Sequence, residues 1–146
     1  MLKENQRPVW QGIFKFSSQD GNPVKLLGNK CESCGKVFFP KREICSNCCT
    51  DNTMTDYELS TKGKIYSYTV VYYQGLLGIK SPYAYGFVDL PQDNVRVLSI
   101  FTECEKLEVN MDVELAIEKL YNDSDDGKEI IGYKFRPLKK ATFAPR

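Results

Sequence analysis

Five of the six cysteines fall within KCESCGKVFFPKREICSNCCT, residues 30–50. Cys31 and Cys34 make one C-x2-C pair, and Cys45 and Cys48 make another. A pair at this spacing can bend round a turn and aim two thiolates at one ion. Two such knuckles supply the four soft ligands of a tetrahedral site. Gly35 follows the first pair, where a knuckle often needs positive φ, and Pro40 fixes a bend between the knuckles. The set therefore predicts a structural metal centre at Cys31, Cys34, Cys45 and Cys48. Zn2+ is the leading ion, because four thiolates close its shell and leave no position for water or substrate. Iron stays open, since similar knuckles hold iron in rubredoxins. A C-x-x-C redox pair is the third reading, and two adjacent pairs favour chelation over it. Structural zinc binding contributes about 10–16 kcal/mol in finger peptides, enough to stand in for the core that so short a ribbon lacks. Cys49 is read as a spectator thiol, with replacement of Cys48 as the alternative. Cys104 reads as a small packing residue.

The remaining composition narrows the chemistry. The chain has no histidine, so Ser-His-Asp and Cys-His pairs and an H-E-x-x-H centre are excluded. No G-x-G-x-x-G or Walker sequence cradles phosphate, and no catalytic residue is legible. With 20 basic and 19 acidic side chains, no strong field favours nucleic acid or an anionic membrane. No apolar run reaches the ~18 residues of a membrane span. MLKENQRPVW lacks the apolar stretch of a secretory signal, and the expected location is cytoplasmic.

The elements that must carry the cysteines divide into four parts. Residues 1–27 are expected to form an N-terminal helical segment, with Trp10, Ile13 and Phe14 on one apolar face behind Pro8. The zinc ribbon follows at 28–56, entered by a strand in VKLLGNK. Residues 57–138 change to period two: strands are predicted at 63–73, 83–90, 94–103, 111–122 and 128–138. Along the first, Ile65, Ser67 and Thr69 are read as opposed to Tyr66, Tyr68 and Val70. Five strands with short connections predict a small Greek-key barrel of the OB-fold type, with 104–110 too short for the usual helix. The fold class is thus mainly β, with a ribbon ahead of a five-stranded barrel. Asp123, Asp125 and Asp126 are read as a solvated hairpin tip instead of a calcium loop. Leu76, Leu77 and Ile79, in the loop 74–83, suggest either a partner surface or folding back over the barrel. A tail occupies 139–146.

The motifs CESCGKVFFPKREICSNC, GKIYSYTVV, PYAYGFVDL and LEVNMDVEL resemble a family of small proteins in which a helical segment, a rubredoxin-like zinc ribbon and an OB-fold follow one another. Asn110 stands where that family often has glycine, and asparagine tolerates positive φ. The resemblance implies an accessory subunit of thiolases and related aldolases, partnered by a larger chain that carries the catalytic cysteine and histidines. It implies that ribbon and barrel flank the large subunit and help enclose the acyl-CoA or its pantetheine arm. Members accompany aldolases of sterol side-chain breakdown, an archaeal thiolase–synthase assembly, and benzoylsuccinyl-CoA thiolase of anaerobic toluene degradation. The last has a free-standing accessory chain of similar size. The resemblance also marks Phe39, Pro40 and Arg42 between the knuckles. Packing on the barrel and a surface ion pair are the plain roles of Phe39 and Arg42; partner or CoA contact is the sharper one. Two other functions fit the residues: a single-stranded nucleic-acid binder, disfavoured by the charge balance, and a rubredoxin-like electron carrier.

Overall fold

The computed structural model describes residues 4–16, 24–73 and 79–138. The described residues form ten strands: β1 (Gln6–Pro8), β2 (Phe14–Phe16), β3 (Val24–Cys31), β4 (Val37–Phe38), β5 (Met54–Glu58), β6 (Lys62–Val71), β7 (Tyr83–Leu90), β8 (Val95–Phe101), β9 (Asp112–Asn122) and β10 (Glu129–Pro137). Among the described residues there is no helix, and hence none long and apolar enough to cross a membrane.

The N-terminal expectation needs correcting. Residues 6–8 and 14–16 are strands, and Gly12, between them, has φ +74. Pro8 ends β1, which pairs in parallel with β10, and β2 joins β3. Ile13 and Phe14 still enter the core, while Trp10 is half exposed. The apolar spacing was real; the positive φ at Gly12 breaks the helical path that would have used it.

Strands β6 to β10 close a barrel in the order β10-β8-β7-β6-β9, with β9 pairing back onto β10. The β8–β10 contact is parallel and the others are antiparallel. This is the closure of a five-stranded OB-type barrel. Its interior is filled by Ile65, Val88, Leu90, Val97, Val113 and Phe135. Between β8 and β9 the chain carries buried Leu107, whose carbonyl accepts a hydrogen bond from the Tyr68 hydroxyl at 2.7 Å. Asn110 takes φ +71, the left-handed conformation expected for it. At the β9–β10 tip, Arg7 pairs with both Asp123 and Asp126. The Asp125 N–H, with Arg7 behind it, holds the Asp123 carboxyl below its ordinary range.

Simple alternation fails at one place in β6. Ile65 pairs with Val88, but the next partner pair is Ser67 with Phe87, so the register shifts past Tyr66. The bulge brings Ser67 and Thr69 onto the outward face that carries Phe87 and Tyr85. A bulge re-aims side chains in this way, and period-two reading cannot foresee it.

In the ribbon, β3 is central. It pairs with β2 and β4 along one edge and with β5 along the other. Gly28 is required at its crossing with β4, since a Cβ there would lie 2.3 Å from the Phe38 carbonyl oxygen. Besides the apolar core that Leu26 and Val37 share with the barrel, an aromatic contact and a buried carboxylate fasten ribbon to barrel. Phe39 packs edge-on against Tyr133 with ring centroids 5.5 Å apart. Buried Asp93, in the β7–β8 turn, accepts hydrogen bonds from the Tyr57 hydroxyl (2.8 Å) and the Ser60 N–H (2.7 Å). The carboxylate raises the Tyr57 pKa by stabilising the neutral phenol.

Tyr133 makes this joint sensitive to alkali. Its hydroxyl donates to the Leu98 carbonyl at 2.8 Å, and burial pushes its pKa up to about 12. An unfolded tyrosine titrates near ~10. The folded state holds the proton more tightly, so this contribution is intact below ~10 and is lost as pH rises through about 12. The loss should reach roughly 2–3 kcal/mol. Urea midpoints across the alkaline range should fall in the wild type, and Tyr133→Phe should flatten that fall. Parallel curves for the two proteins would refute the assignment.

Candidate metal centre

The two knuckles have the same backbone. Cys31 closes β3; its N–H donates to the Lys36 carbonyl, and the Gly35 N–H donates back to the Cys31 carbonyl at 2.7 Å. The second knuckle repeats this pattern: the Cys45 N–H donates to Thr50 and the Cys49 N–H to Cys45, at 3.1 and 2.8 Å. Gly35 has φ +81 and Cys49 has φ +59. Cys49 therefore holds the place that glycine holds in the first knuckle. Its thiol is exposed and is not one of the gathered sulfurs, which leaves Cys48 as the fourth member.

The Sγ atoms of Cys31, Cys34, Cys45 and Cys48 all lie within 4.8 Å of one another. Cys31 and Cys48 are 3.7 Å apart, and Cys34 and Cys45 are 3.5 Å apart. A tetrahedron of metal–sulfur bonds of about 2.3 Å has sulfur–sulfur edges of about 3.8 Å, close to these two edges. The four cysteines are positioned to bind a metal ion, and a second group of residues prepares the sulfurs. Thr53 Oγ1 lies 3.3 Å from Cys31, Thr50 Oγ1 lies 3.0 Å from Cys48, and the Asn47 amide donates to Cys34 at 3.4 Å. Hydrogen bonds to the thiolate, led by Thr53, hold Cys31 down to about 5, and Thr50 lowers Cys48. Burial pushes Cys45 the other way, up to about 11, so it most needs a cation beside it to ionise.

The inter-knuckle residues are also placed. Asn29, buried in β3, donates to the Arg42 carbonyl at 2.7 Å and accepts from the Arg42 N–H at 3.3 Å. Its amide clamps the loop that carries Pro40, whose peptide bond to Phe39 is cis. Arg42 lies over the Phe38 ring at 5.6 Å. Its guanidinium therefore rests on the ribbon's own aromatic. Phe39 faces Tyr133 as described. Leu76 and Leu77 lie outside the described residues. Sequence reasoning overlooked Asn29, Thr50, Thr53 and Asp93. For the threonines a signal was available, since CCTDNT puts both hydroxyls directly after the second knuckle.

Comparison with known proteins finds the same order of ribbon and barrel. Residues 24–52 match the profile of the ChsH2 rubredoxin-like zinc ribbon domain, and residues 56–118 match that of the ChsH2 C-terminal OB-fold domain. A DUF35 domain-containing scaffold protein of Methanocaldococcus jannaschii is 34% identical over 116 residues, covering 77% of this chain and 82% of that one. The benzoylsuccinyl-CoA thiolase subunit BbsA of Thauera aromatica is 34% identical over 147 residues, covering 93% of this chain and 97% of its own. Among solved structures, the Ltp2-ChsH2(DUF35) aldolase superposes with a TM-score of 0.60 at 23% identity. That match covers 77% of this chain and 84% of the other, and it shows a shared fold.

Proposed function

The chain belongs to the ChsH2 family of rubredoxin-like zinc ribbons joined to OB-folds, and from that membership we propose that it is the accessory subunit of a thiolase- or aldolase-type enzyme. The observation that carries this reading is the end-to-end match to BbsA, 97% of a chain named as a thiolase subunit. On this reading the larger partner makes and breaks the C–C bond of a β-keto acyl-CoA, with benzoylsuccinyl-CoA as the specific substrate. The partner also supplies the imidazoles that this sequence lacks.

In this proposal Cys31, Cys34, Cys45 and Cys48 hold Zn2+ as a structural ion. The four-sulfur set suits a tetrahedral dication left with no open position. The bound ion would supply cross-linking only. The residues of the chain would bind and enclose. A groove of about 570 Å³ runs between ribbon and barrel, lined by Phe39 and Leu90, by Lys36 of the ribbon, and by Lys64 and Arg96, which are paired with Asp112 and Asp89. Such a groove suits the pantetheine arm of an acyl-CoA, which would lie along Phe39 and Leu90 with Lys36 as the cation nearest a phosphate. Arg42 does not line this groove, so its exposed edge is assigned to the partner instead, with Leu76 and Leu77 as further contacts.

Tagged protein co-expressed with the genes around its own should retrieve a thiolase-type chain at fixed stoichiometry. Retrieval of no such chain would count against the reading. So would tight single-stranded nucleic-acid binding that weakens steeply with salt.

A further inference from the structure

Outside the metal centre and the groove, one surface is built unlike the rest. On β7 the buried residues are Ala84, Gly86, Val88 and Leu90, so Tyr85 and Phe87 point out. Phe87 is paired with Leu98 and Tyr85 with Ile100, which makes the outward row continuous across β7 and β8. The bulge in β6 leaves Tyr66 exposed, and Trp10 borders an apolar cleft of about 380 Å³ shared with Tyr85, Leu98 and Tyr133. Trp10, Tyr66, Tyr85, Phe87 and Leu98 are each between 40% and 52% exposed.

Charge identifies what this face fits. Arg96 grips Asp89 through two hydrogen bonds of 2.6 and 3.2 Å, and its guanidinium lies 3.4 Å from the centre of the Tyr66 ring. The guanidinium is thus spent on Asp89, and one face of Tyr66 is already covered. A single nucleic-acid strand needs free cations beside open rings, and among the described residues the one cation on this row, Arg96, is already paired. A neutral apolar protein surface needs only area. Half-exposed side chains of this size offer on the order of 100 Å² apiece, about 500 Å² together. That is more than half of the ~800 Å² each partner contributes to a stable interface.

We infer that the outward β6–β7–β8 face, centred on Phe87 and Leu98, is where the catalytic subunit docks through a flat, uncharged patch of its own. This inference rests on the accessory-subunit reading above. Phe87→Asp and Leu98→Asp test it against Val109→Asp, which changes an exposed apolar residue in the β8–β9 connection. All three positions are exposed, and unchanged metal content and melting temperature will show that the fold survives. The probe is the thiolase-type chain retrieved by co-expression with the wild type. Phe87→Asp and Leu98→Asp should weaken its binding by about 100-fold or more, as for other buried interface anchors, and Val109→Asp should leave it unchanged. Equal retention by all three variants overturns the docking face and leaves the accessory-subunit reading intact. If the wild type retrieves no such chain but forms a dimer that Phe87→Asp dissolves, the face belongs to a second copy and both statements fail. Binding of a labelled single-stranded oligonucleotide that Phe87→Asp abolishes also overturns the inference.

Discussion

Cys45→Ser is expected to empty the metal centre and unfold the ribbon while Cys49→Ser changes neither. Cys45 has no exposed surface, and burial already pushes its thiol up to about 11. A serine hydroxyl there is a poor ligand and would leave a buried polar group facing three sulfurs. Bound zinc should fall from about one ion per chain to a small fraction of that. Around the knuckles themselves the apolar cluster is small: Phe38 and Cys31 buried, with Cys48 and Met54 packed against them, while Leu26 and Val37 of the ribbon join the core shared with the barrel. That cluster cannot offset the conformational entropy of the knuckles unaided, and metal binding of about 10–16 kcal/mol is what it would lose. Amide hydrogens that close the knuckles, those of Cys31, Gly35, Cys45 and Cys49, should therefore lose protection in the variant. The larger core of Ile65, Val88, Leu90, Val97, Val113 and Phe135 does not depend on the knuckles, so β6–β10 should stay protected. Elemental analysis and amide exchange read both outcomes. A wild-type protein that is red or brown and contains iron would reassign the ion. A variant that keeps its metal would reassign the ligands.

The ribbon could be read from sequence because chelation depends on residue type and spacing, both of which are local. The barrel strands were nearly as clear: the stretch 83–90 coincides with β7, and the expected ends of the other four differ by a residue or two. What escaped reading depends on contacts between residues far apart. Asn29 is unremarkable until folding brings Arg42 beside it, and Asp93 until Tyr57 and Ser60 arrive. The N-terminal segment showed helical spacing in Trp10, Ile13 and Phe14. Its conformation was set by strand partners, β10 for one piece and β3 for the other. The bulge at Tyr66 was likewise invisible, since it arises from how β6 registers against β7. Cys49 shows the reverse case. Its left-handed φ matches that of Gly35, and the two residues hold the same place after their C-x2-C pairs, so aligning CESCG with CSNCC marks Cys49 as a turn residue from spacing alone.

The second large effect concerns activity. If this chain shapes and closes a partner's reaction chamber, its own turnover should be nil and its partner's should depend on it. The groove between ribbon and barrel and the apolar face on β6–β8 are surfaces for holding, and neither contains an imidazole. Thioester cleavage of a β-keto acyl-CoA should therefore be measured for this chain alone, the thiolase-type chain alone, and the two together. No turnover is expected in the first and full turnover only in the third. The second should fall short by at least about tenfold, equivalent to roughly 1.4 kcal/mol in the barrier. Full activity of the larger chain alone, or any cleavage by this chain unaided, would contradict the accessory role.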